Sequence, residues 1–410
     1  MKNTASDTFD IAIVGGGIVG AASLYQLQQR LPNAKILLLE KEESFAAHQT
    51  GNNSGVIHSG LYYKPGSKKA INCVKGRKAL VKFAQEFNVK HEVCGKVVVA
   101  TEEAELPHMD RIFEIGKQNG IEGIEKITAE QVREIEPECY SIGAIRVPVT
   151  GIIDYVETTQ RLIELSLKIN EASVVKLREA FEDSRTEGEF TTIKSSKGSY
   201  KAKYLIYCAG LQSDRLAKKD GVDLDMQIVG FRGDYYELTE QAKHKVKHLI
   251  YPVPNPAFPF LGVHFTRMTD GEIECGPNAV FTFKREGYGK TDFDLKDTVD
   301  ALTHGGTWKL FAKHWKFGLD EYKRAFSKRL FLERLQRIIP SLTMEDIKEG
   351  RSGVRAMALG QDGEMIDDFK IEFKDNSIHV LNAPSPAATA CLAIGEDIAD
   401  MAMERFNLGA

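Results

Sequence analysis

Apolar and polar positions along the first forty residues follow the pattern of a strand, a helix and a second strand. Residues 11–14 and 36–39 are uninterrupted apolar runs, and a helix-like segment lies between them. Short apolar runs of this kind are typical of buried strands, which alternate with helices in parallel sheets. The pattern predicts the start of an α/β fold.

A glycine-rich turn, residues 15–20 with the sequence GGGIVG, joins the first apolar run to the helix-like segment. In this arrangement Gly15 permits the tight turn, Gly17 lets the backbone approach a pyrophosphate, and Gly20 lets helix and strand pack closely. The helix N-terminus supplies unpaired N–H groups for the phosphate charge. Glu40 ends the second run, where a carboxylate accepts hydrogen bonds from a ribose hydroxyl. The motif and its context predict dinucleotide binding rather than an ordinary strand-to-helix turn.

Further along the chain, apolar spacing predicts helices and strands in mixed order. The predicted helices cover residues 67–88, 129–136, 155–169, 296–340 and 386–406. The predicted strands cover 96–100, 174–181, 191–194, 204–208, 230–238 and 380–381, with several more before residue 283. Residues 44–66, rich in Ser, Gly, Asn and His, have strand-like character only at 56 and 57. They are predicted to form a long functional loop.

Composition and charge indicate an ordinary globular protein. Of the 410 residues, 42% are hydrophobic. The net charge is -4, so the chain has no excess of basic residues of the kind typical of nucleic-acid-binding proteins. The six cysteines form no CxxC pair and no zinc-like cluster with His, which indicates free thiols in a reducing compartment and no metal. The residues before the first apolar run contain no apolar h-region, so we expect no secretory leader, and no apolar run reaches membrane-spanning length. We expect a cytoplasmic protein without a nucleic-acid partner, whose membrane contact, if any, is peripheral on the inner face of the cell membrane.

Several ordered sequence blocks resemble one enzyme family. The block at residues 49–66 (QTGNNSGVIHSGLYYKPG) is similar to the signature of L-2-hydroxyglutarate dehydrogenases and oxidases, FAD enzymes of the glycine oxidase and D-amino-acid oxidase superfamily. Further blocks that resemble this family are 231–236 (FRGDYY), 251–254 (YPVP), 259–265 (PFLGVHF), 276–279 (GPNA), 353–356 (GVRA) with 362–363 (DG), and 382–389 (NAPSPAAT). The resemblance extends over essentially the whole chain.

The resemblance implies an α/β protein with a Rossmann-like FAD-binding domain and a discontinuous α+β substrate domain built on a mostly antiparallel sheet. We assign residues 1–85, 145–225 and 345–410 to the FAD-binding domain, and residues 86–144 and 226–344 to the substrate domain. FAD is also favoured over NAD by the glycine- and serine-rich segment after Glu40, which supplies more backbone donors than a nicotinamide cofactor needs.

By similarity to the family, several groups of residues are expected to contact FAD. They are Glu40 and Lys41 at the adenosine ribose, Thr50, Asn53, Ser54 and Gly55 on the pyrophosphate and flavin side, and Ala209 and Gly210 over the cofactor. The turn formed by Ser385, Pro386, Ala387, Ala388 and Thr389 is expected to direct its amides at the N1/O2 edge of the flavin, where a helix N-terminus stabilises the anionic reduced form. The alternative is the plain start of a helix with Pro386 near its first position.

His58 is the candidate for proton transfer, because oxidation of an alcohol removes the hydroxyl proton as the Cα hydride leaves. An imidazole titrates near neutrality and suits that task. The position resembles that of a histidine beside the flavin in the Ile-His-Gly-Gly loop of flavin-linked glycerol-3-phosphate dehydrogenases. The alternatives are positioning or covalent attachment of the flavin, or a structural role. His264 is the rival base or a substrate ligand.

Arg355 matches the superfamily position at which an arginine binds the α-carboxylate of the substrate. A planar guanidinium forms two parallel charge-assisted bonds with a carboxylate. One arginine accounts for one carboxylate, and a five-carbon diacid has a second. The candidate ligands of the second are Arg232, Tyr251, Tyr62 and His264, with Arg232 alternatively a conformational brace. Residues 360–362 (GQD) depart from familiar members of the family, which leaves the fine detail of the substrate open.

The segment 308–337, within a basic and aromatic helical region at 300–340, contains both tryptophans of the chain and has a formal charge of +6. Aromatic and basic residues interleaved on amphipathic helices suit an anionic bilayer surface. One hypothesis is that the segment docks on a membrane and passes electrons to quinone. The other is a solvated helix whose aromatic side chains pack on the substrate domain.

Together these features predict FAD-dependent oxidation of L-2-hydroxyglutarate to 2-oxoglutarate by hydride transfer to flavin N5, with electrons then passed to quinone or oxygen. One alternative is an amine or amino-acid oxidase of the same superfamily, such as a glycine or sarcosine oxidase. Another is a flavin-bound interaction protein without turnover. The chirality of the substrate rests on the resemblance alone.

Overall fold

The computed structural model describes residues 8–255 and 262–408, so part of the 259–265 block lies outside the described residues. Within the described part there are ten α-helices and twenty β-strands. The helices are α1 (Ile18–Arg30), α2 (Lys68–Glu86), α3 (Leu106–Gln118), α4 (Ala129–Ile135), α5 (Tyr155–Ile169), α6 (Ser213–Lys219), α7 (Leu295–Thr303), α8 (Gly305–Phe326), α9 (Lys328–Leu335) and α10 (Cys391–Arg405). The strands are β1 (Thr8–Val14), β2 (Ile36–Leu39), β3 (Val56–Ile57), β4 (His91–Glu92), β5 (Lys96–Ala100), β6 (Glu125–Ile127), β7 (Gly143–Val147), β8 (Gly151–Ile153), β9 (Val174–Lys176), β10 (Phe181–Glu187), β11 (Phe190–Ser195), β12 (Ser199–Tyr207), β13 (Met226–Leu238), β14 (Leu249–Pro252), β15 (His264–Arg267), β16 (Ile273–Gly276), β17 (Val280–Phe281), β18 (Ile347–Gly360), β19 (Lys370–Lys374) and β20 (Ser377–Asn382).

The first sheet has eight strands and a parallel centre. Its main order is β10-β11-β12-β1-β2-β9, in which β12, β1, β2 and β9 run parallel. The two predicted apolar runs pair directly, Ile11 with Ile36 and Val14 with Leu39. On one face of the sheet, Ile11 and Ile36 pack in a core with side chains of α1, α2, α5 and α10. Val14 and Leu39 belong to a second core, together with side chains of β11 and β12. The observed strand, helix and parallel strand confirm the predicted Rossmann-like start.

The second sheet has nine strands and is antiparallel except where β14 pairs with β5. Its longest pairing joins β13 to β18, from Met226 opposite Gly360 to Leu238 opposite Ile347. A core around Phe265 and Phe331 joins this sheet to α9. A third, small sheet has the order β3-β8-β4. The mostly antiparallel second sheet agrees with the predicted fold class.

Some elements differ from the prediction. α3 and β18 are absent from the predicted elements, and β18 is hard to recognise because its first half contains glycines and charged residues. The last helix begins at Cys391 rather than at 386, because the preceding residues form turns in which Ala387 N–H donates to Pro384 and Ala390 N–H donates to Pro386. The plain helix start considered for Pro386 is therefore wrong.

The two large sheets draw on separate stretches of the chain. Residues 8–39, 174–207 and 370–382 supply the strands of the first sheet, and residues 96–147, 226–281 and 347–360 supply those of the second. β18 thus lies in the second sheet, although the assigned boundary at 345 groups it with the FAD-binding domain. The domain boundaries stay a prediction. Among the described helices, none has both the length and the apolar character needed to span a bilayer.

Candidate active site

A cavity of about 1110 Å³ is lined by residues from both large sheets. Its wall includes Val14 and Leu39 at the carboxyl ends of β1 and β2, where nucleotides bind in parallel α/β sheets. The predicted site residues that line it are Gly15, Gly17, Glu40, Lys41, Thr50, Asn53, Ser54, His58, Tyr62, Ala209, Gly210, Tyr251, His264, Arg355, Ser385, Ala387 and Ala388. Four predicted residues do not line it: Gly20, Gly55, Arg232 and Thr389.

The turn between β1 and α1 leaves room for a group that approaches the backbone. Gly15 has a φ of +114°, and a Cβ there would lie 2.3 Å from the carbonyl oxygen of Cys208. A Cβ on Gly20 would lie 2.0 Å from the carbonyl oxygen of Gly15, so Gly20 acts through packing rather than contact with the cavity. Gly17 is the N-cap of α1 and offers no side-chain hydrogen bond. The start of α1 therefore fits a phosphate group.

Glu40 and Lys41 lie at the end of β2. The Glu40 carboxylate accepts the N–H of Gly16 at 2.7 Å and the N–H of Glu42 at 2.8 Å. Three side chains that lie close enough together to hold a metal ion are Glu42, His48 and Glu286. The Lys41 ammonium contacts all three side chains, so this cation of the protein occupies the position between them. The absence of a metal site stays a prediction.

The loop 44–66 is attached to α1 and to β18. Thr50 Oγ1 accepts the N–H of Ile18 at 3.0 Å, which ties the loop to the first turn of α1. From β18, the Arg351 guanidinium donates to the carbonyl of Gly51 at 2.7 Å and to that of Asn53 at 2.6 Å. These bonds fix the part of the loop that lines the cavity.

The turn before α10 is connected to the segment that carries His58. Thr389 is fully buried, and its Oγ1 accepts the N–H of His58 at 3.0 Å. The Tyr155 hydroxyl lies 3.0 Å from the same oxygen and donates to the Val56 carbonyl at 2.9 Å. Thr389 thus acts behind the cavity wall, while Ala388 and its neighbours form that wall.

His58 follows β3 and lines the cavity. Burial lowers the pKa of its imidazole to about 3, with smaller contributions from the charges of Lys96, His264 and Arg355. Within residues 8–255 and 262–408 its ring has no hydrogen-bond partner. Near pH 7 the ring is neutral, and one nitrogen is free to accept a proton.

His264 lies on β15, and its Nδ1 is 2.9 Å from the carbonyl oxygen of Gly262. In the neutral ring Nδ1 therefore carries the hydrogen and Nε2 keeps its lone pair. The ring stacks on Tyr251 with centroids 4.1 Å apart, and burial lowers the pKa of His264 to about 3. Both candidate bases are thus neutral and able to accept a proton.

Arg355 and Arg232 occupy different environments. Arg355 lies on β18 opposite Phe231, lines the cavity, and forms no ion pair with a carboxylate of the described residues. Arg232 is 4% exposed, with its Nε 2.6 Å from Asp234 Oδ1 and an Nη1 that donates to the carbonyl of Gly289. Arg355 is available to a carboxylate in the cavity, whereas the contacts of Arg232 are those of a brace.

Several side chains at the cavity are absent from the sequence prediction. Further lining residues are Tyr63, Lys69, Tyr155, Gln212, Tyr235 and Glu286. Lys96, beside the cavity on β5, is only 2% exposed, and burial lowers its pKa to about 7. The sequence feature that could have identified Lys96 is its position directly before three valines. All five residues of this strand are buried. A lysine in such a run is unusual unless it has a partner.

Comparisons with known proteins agree with this geometry. Residues 10–401 match the model of the FAD dependent oxidoreductase family. The chain is 47% identical to the L-2-hydroxyglutarate dehydrogenase of Indibacter alkaliphilus, with 97% of this chain and 100% of that protein covered. It is 42% identical to the mitochondrial L-2-hydroxyglutarate dehydrogenase of Homo sapiens, with 99% and 91% covered.

Solved structures show the same fold at lower identity. The L-alpha-glycerophosphate oxidase from Mycoplasma pneumoniae with FAD bound has a TM-score of 0.79 and 21% identity, with 97% of this chain and 95% of that chain covered. The glycine oxidase from Geobacillus kaustophilus has a TM-score of 0.72 and 15% identity, at the same coverage. The glycine turn, the Glu40 carboxylate and the extended cavity fit FAD as the cofactor. The chain belongs to the L-2-hydroxyglutarate dehydrogenase family of FAD-dependent oxidoreductases.

Proposed function

We propose that this chain oxidises L-2-hydroxyglutarate to 2-oxoglutarate. The observation that carries the proposal is the presence, in one FAD cavity, of a guanidinium without a carboxylate partner and a neutral imidazole, those of Arg355 and His58. The names of relatives at 42–47% identity over nearly the full chain support the choice of substrate.

Arg355 binds the α-carboxylate of the substrate. A guanidinium that forms two parallel bonds fixes the orientation of the carboxylate, and with it the orientation of the adjacent carbon that carries the hydroxyl. FAD, when bound, supplies the acceptor for the hydride that leaves this carbon. The oxidation also requires a protein group that accepts the proton of the substrate hydroxyl.

His58 accepts that proton. Its imidazole is already in the basic form, because its pKa in the protein is about 3. Binding of the negatively charged substrate raises this pKa, since anions nearby favour the imidazolium form. The base therefore becomes stronger when a substrate is in place. His264, also neutral, is the alternative base.

We further propose that electrons leave to a membrane quinone, with a docking surface on α8. This α8 surface consists of Trp308, Trp315, Leu319 and Phe326, each more than half exposed, together with Lys309, Lys316 and Lys323. Exposed indole rings and lysines suit the headgroup region of an anionic bilayer. Phe331 does not belong to this surface, because it is fully buried against Tyr236.

A turnover assay on the purified holoenzyme tests the proposed reaction. Product is measured with a water-soluble quinone analogue under anaerobic conditions, and separately with oxygen. We expect 2-oxoglutarate from L-2-hydroxyglutarate with the quinone analogue, and no turnover of glycine or sarcosine. Turnover of these amino acids that rises with pH, without turnover of 2-hydroxy acids, would instead identify an amine oxidase. Product formed with oxygen alone would contradict the quinone proposal.

A further inference from the structure

Lys96 is a buried cation without a counter-ion. Its Nζ lies 4.9 Å from the ring centroid of Tyr62 and 4.7 Å from that of Tyr251. No carboxylate in the described ranges, 8–255 and 262–408, forms an ion pair with it. A buried ammonium that lies against aromatic faces is less well solvated than in water. Lys96 therefore has unused capacity to bind an anion.

The two tyrosines connect Lys96 to the cavity, because both rings line it. His264 stacks on Tyr251, the ring over which the Lys96 ammonium lies, and the charge of Lys96 contributes to the lowered pKa of both His58 and His264. The Tyr62 hydroxyl is buried and has no hydrogen-bond partner in the described part of the protein. A cation and an unused donor thus lie at the same end of the cavity as the histidines.

Two other cations considered for the substrate already have carboxylate partners. Lys69 Nζ is 2.6 Å from Asp367 Oδ1, and Arg232 is paired with Asp234. Arg355 and Lys96, by contrast, form no ion pair with a carboxylate of the described residues. Two free cations match the two carboxylates of a 2-hydroxy diacid.

We infer that Lys96 binds the distal carboxylate of the substrate, with the Tyr62 hydroxyl as a second donor, while Arg355 binds the α-carboxylate. This inference rests on the proposed function and names the residue that selects a diacid. A monocarboxylate of the same chain length leaves both Lys96 and Tyr62 without a partner. A site that leaves buried polar groups unpaired rejects such a ligand strongly.

The test is a binding measurement on the oxidised holoenzyme, followed through the change in flavin absorbance. Dissociation constants are determined for 2-oxoglutarate and for 2-oxopentanoate, which lacks the distal carboxylate, in the wild type and in Lys96→Met. We expect Lys96→Met to weaken 2-oxoglutarate binding about 10- to 100-fold, the range for a lost charge-assisted hydrogen bond. Binding of 2-oxopentanoate should change by less than about threefold. In turnover, KM for L-2-hydroxyglutarate should rise more than kcat falls.

Two further variants complete the design. Lys35→Met removes a lysine that also lies over a ring, that of Phe9 at 4.5 Å, but Phe9 does not line the cavity as Tyr62 and Tyr251 do, so both dissociation constants should stay unchanged. Tyr62→Phe removes one oxygen and should weaken 2-oxoglutarate binding selectively, by a smaller factor. It provides the same test if Lys96→Met fails to retain flavin.

The inference is overturned if Lys96→Met and Tyr62→Phe affect the two ligands equally, or affect neither. Its failure differs from failure of the proposed function. A wild-type enzyme that turns over L-2-hydroxyglutarate while the variants show no selective loss contradicts only the role of Lys96. A wild-type enzyme inactive on 2-hydroxyglutarate contradicts the proposed function itself.

Discussion

At the scale of single residues, the substrate end of the cavity combines neutral bases with the positive charges of Arg355 and Lys96, which no carboxylate of the described residues balances. His58 and His264 are both held neutral by burial, and the charges of Arg355 and Lys96 reinforce this effect. Binding of the dianionic substrate raises the pKa of the histidines again, because the substrate neutralises the cations and favours protonation of a base. Binding of the substrate and activation of the base are therefore coupled.

His58→Asn tests the assignment of the base. Loss of a general base reduces the rate of the step it assists by about 10²- to 10⁴-fold, so flavin reduction by L-2-hydroxyglutarate should slow by that factor. Flavin content should be unchanged. Rapid-mixing absorbance under anaerobic conditions measures the rate. His244→Asn, at an exposed position away from the cavity, is the control. A larger effect of His264→Asn than of His58→Asn would assign the base to His264.

The pH dependence of ligand binding tests Lys96. The titratable groups around its Nζ are Tyr62, Tyr251, Cys73, His58 and His264. Burial raises the pKa of Cys73 to about 12 and raises those of both tyrosines, while the histidines are neutral above about pH 4. Lys96, with a pKa of about 7, is the member of this group that titrates near neutrality.

The protonated form of Lys96 binds the anion, so affinity is lost as pH rises above the pKa of the free protein. We expect the dissociation constant of 2-oxoglutarate to increase between pH 7 and 9, by up to about tenfold per pH unit. Titrations of flavin absorbance at several pH values measure it. The Lys96→Met variant should lack this increase. The same increase in the variant would show that another group is responsible.

At the scale of elements, the site depends on contacts between the glycine turn, the loop 44–66 and β18. Gly15→Ala tests the turn. An alanine at this position must adopt a positive φ, and its Cβ would collide with the carbonyl of Cys208. We expect flavin content to fall at least about tenfold, as measured by the ratio of flavin to protein absorbance. Gly198→Ala, in open space and without a positive φ, should retain full flavin content. Equal flavin content in the two variants would contradict the role of the turn.

Elements with a simple period are predictable from the sequence, and those defined by distant contacts are not. The glycine-rich turn at residues 15–20 and the apolar runs on β1 and β2 are local patterns, so their positions follow from residue types alone. Lys96 becomes part of the site only because Tyr62 and Tyr251, from distant stretches of the chain, approach it in the fold. β18 contains Glu349 and Gly350, which hide the strand, yet it supplies Arg355.

At the scale of the whole molecule, the family resemblance predicts the fold class and the cofactor, since ordered blocks over the full chain specify a three-dimensional arrangement. It does not predict the contacts of a side chain such as Arg232, which matches a family block yet is bound to Asp234. Sequence blocks identify a position, whereas the use of a side chain depends on which partner lies within reach.

The α8 surface gives a prediction at this scale. Trp315→Ala combined with Lys316→Glu removes one exposed ring and reverses one charge, so binding to anionic vesicles should weaken at least about tenfold. Co-sedimentation with vesicles that contain an anionic phospholipid measures it. Tyr140→Ala combined with Lys197→Glu removes another exposed aromatic ring and reverses another lysine charge elsewhere, and should have little effect. Vesicle binding that neither pair alters would contradict docking through α8.

The central claim is that one cavity holds FAD beside a site for L-2-hydroxyglutarate. Anaerobic titration of the purified holoenzyme with the L and D isomers of 2-hydroxyglutarate, followed by visible flavin absorbance, tests it most directly. We predict that the L isomer bleaches the flavin at about one equivalent per site and that the D isomer leaves it oxidised. Bleaching by both isomers, or by neither, would contradict the account.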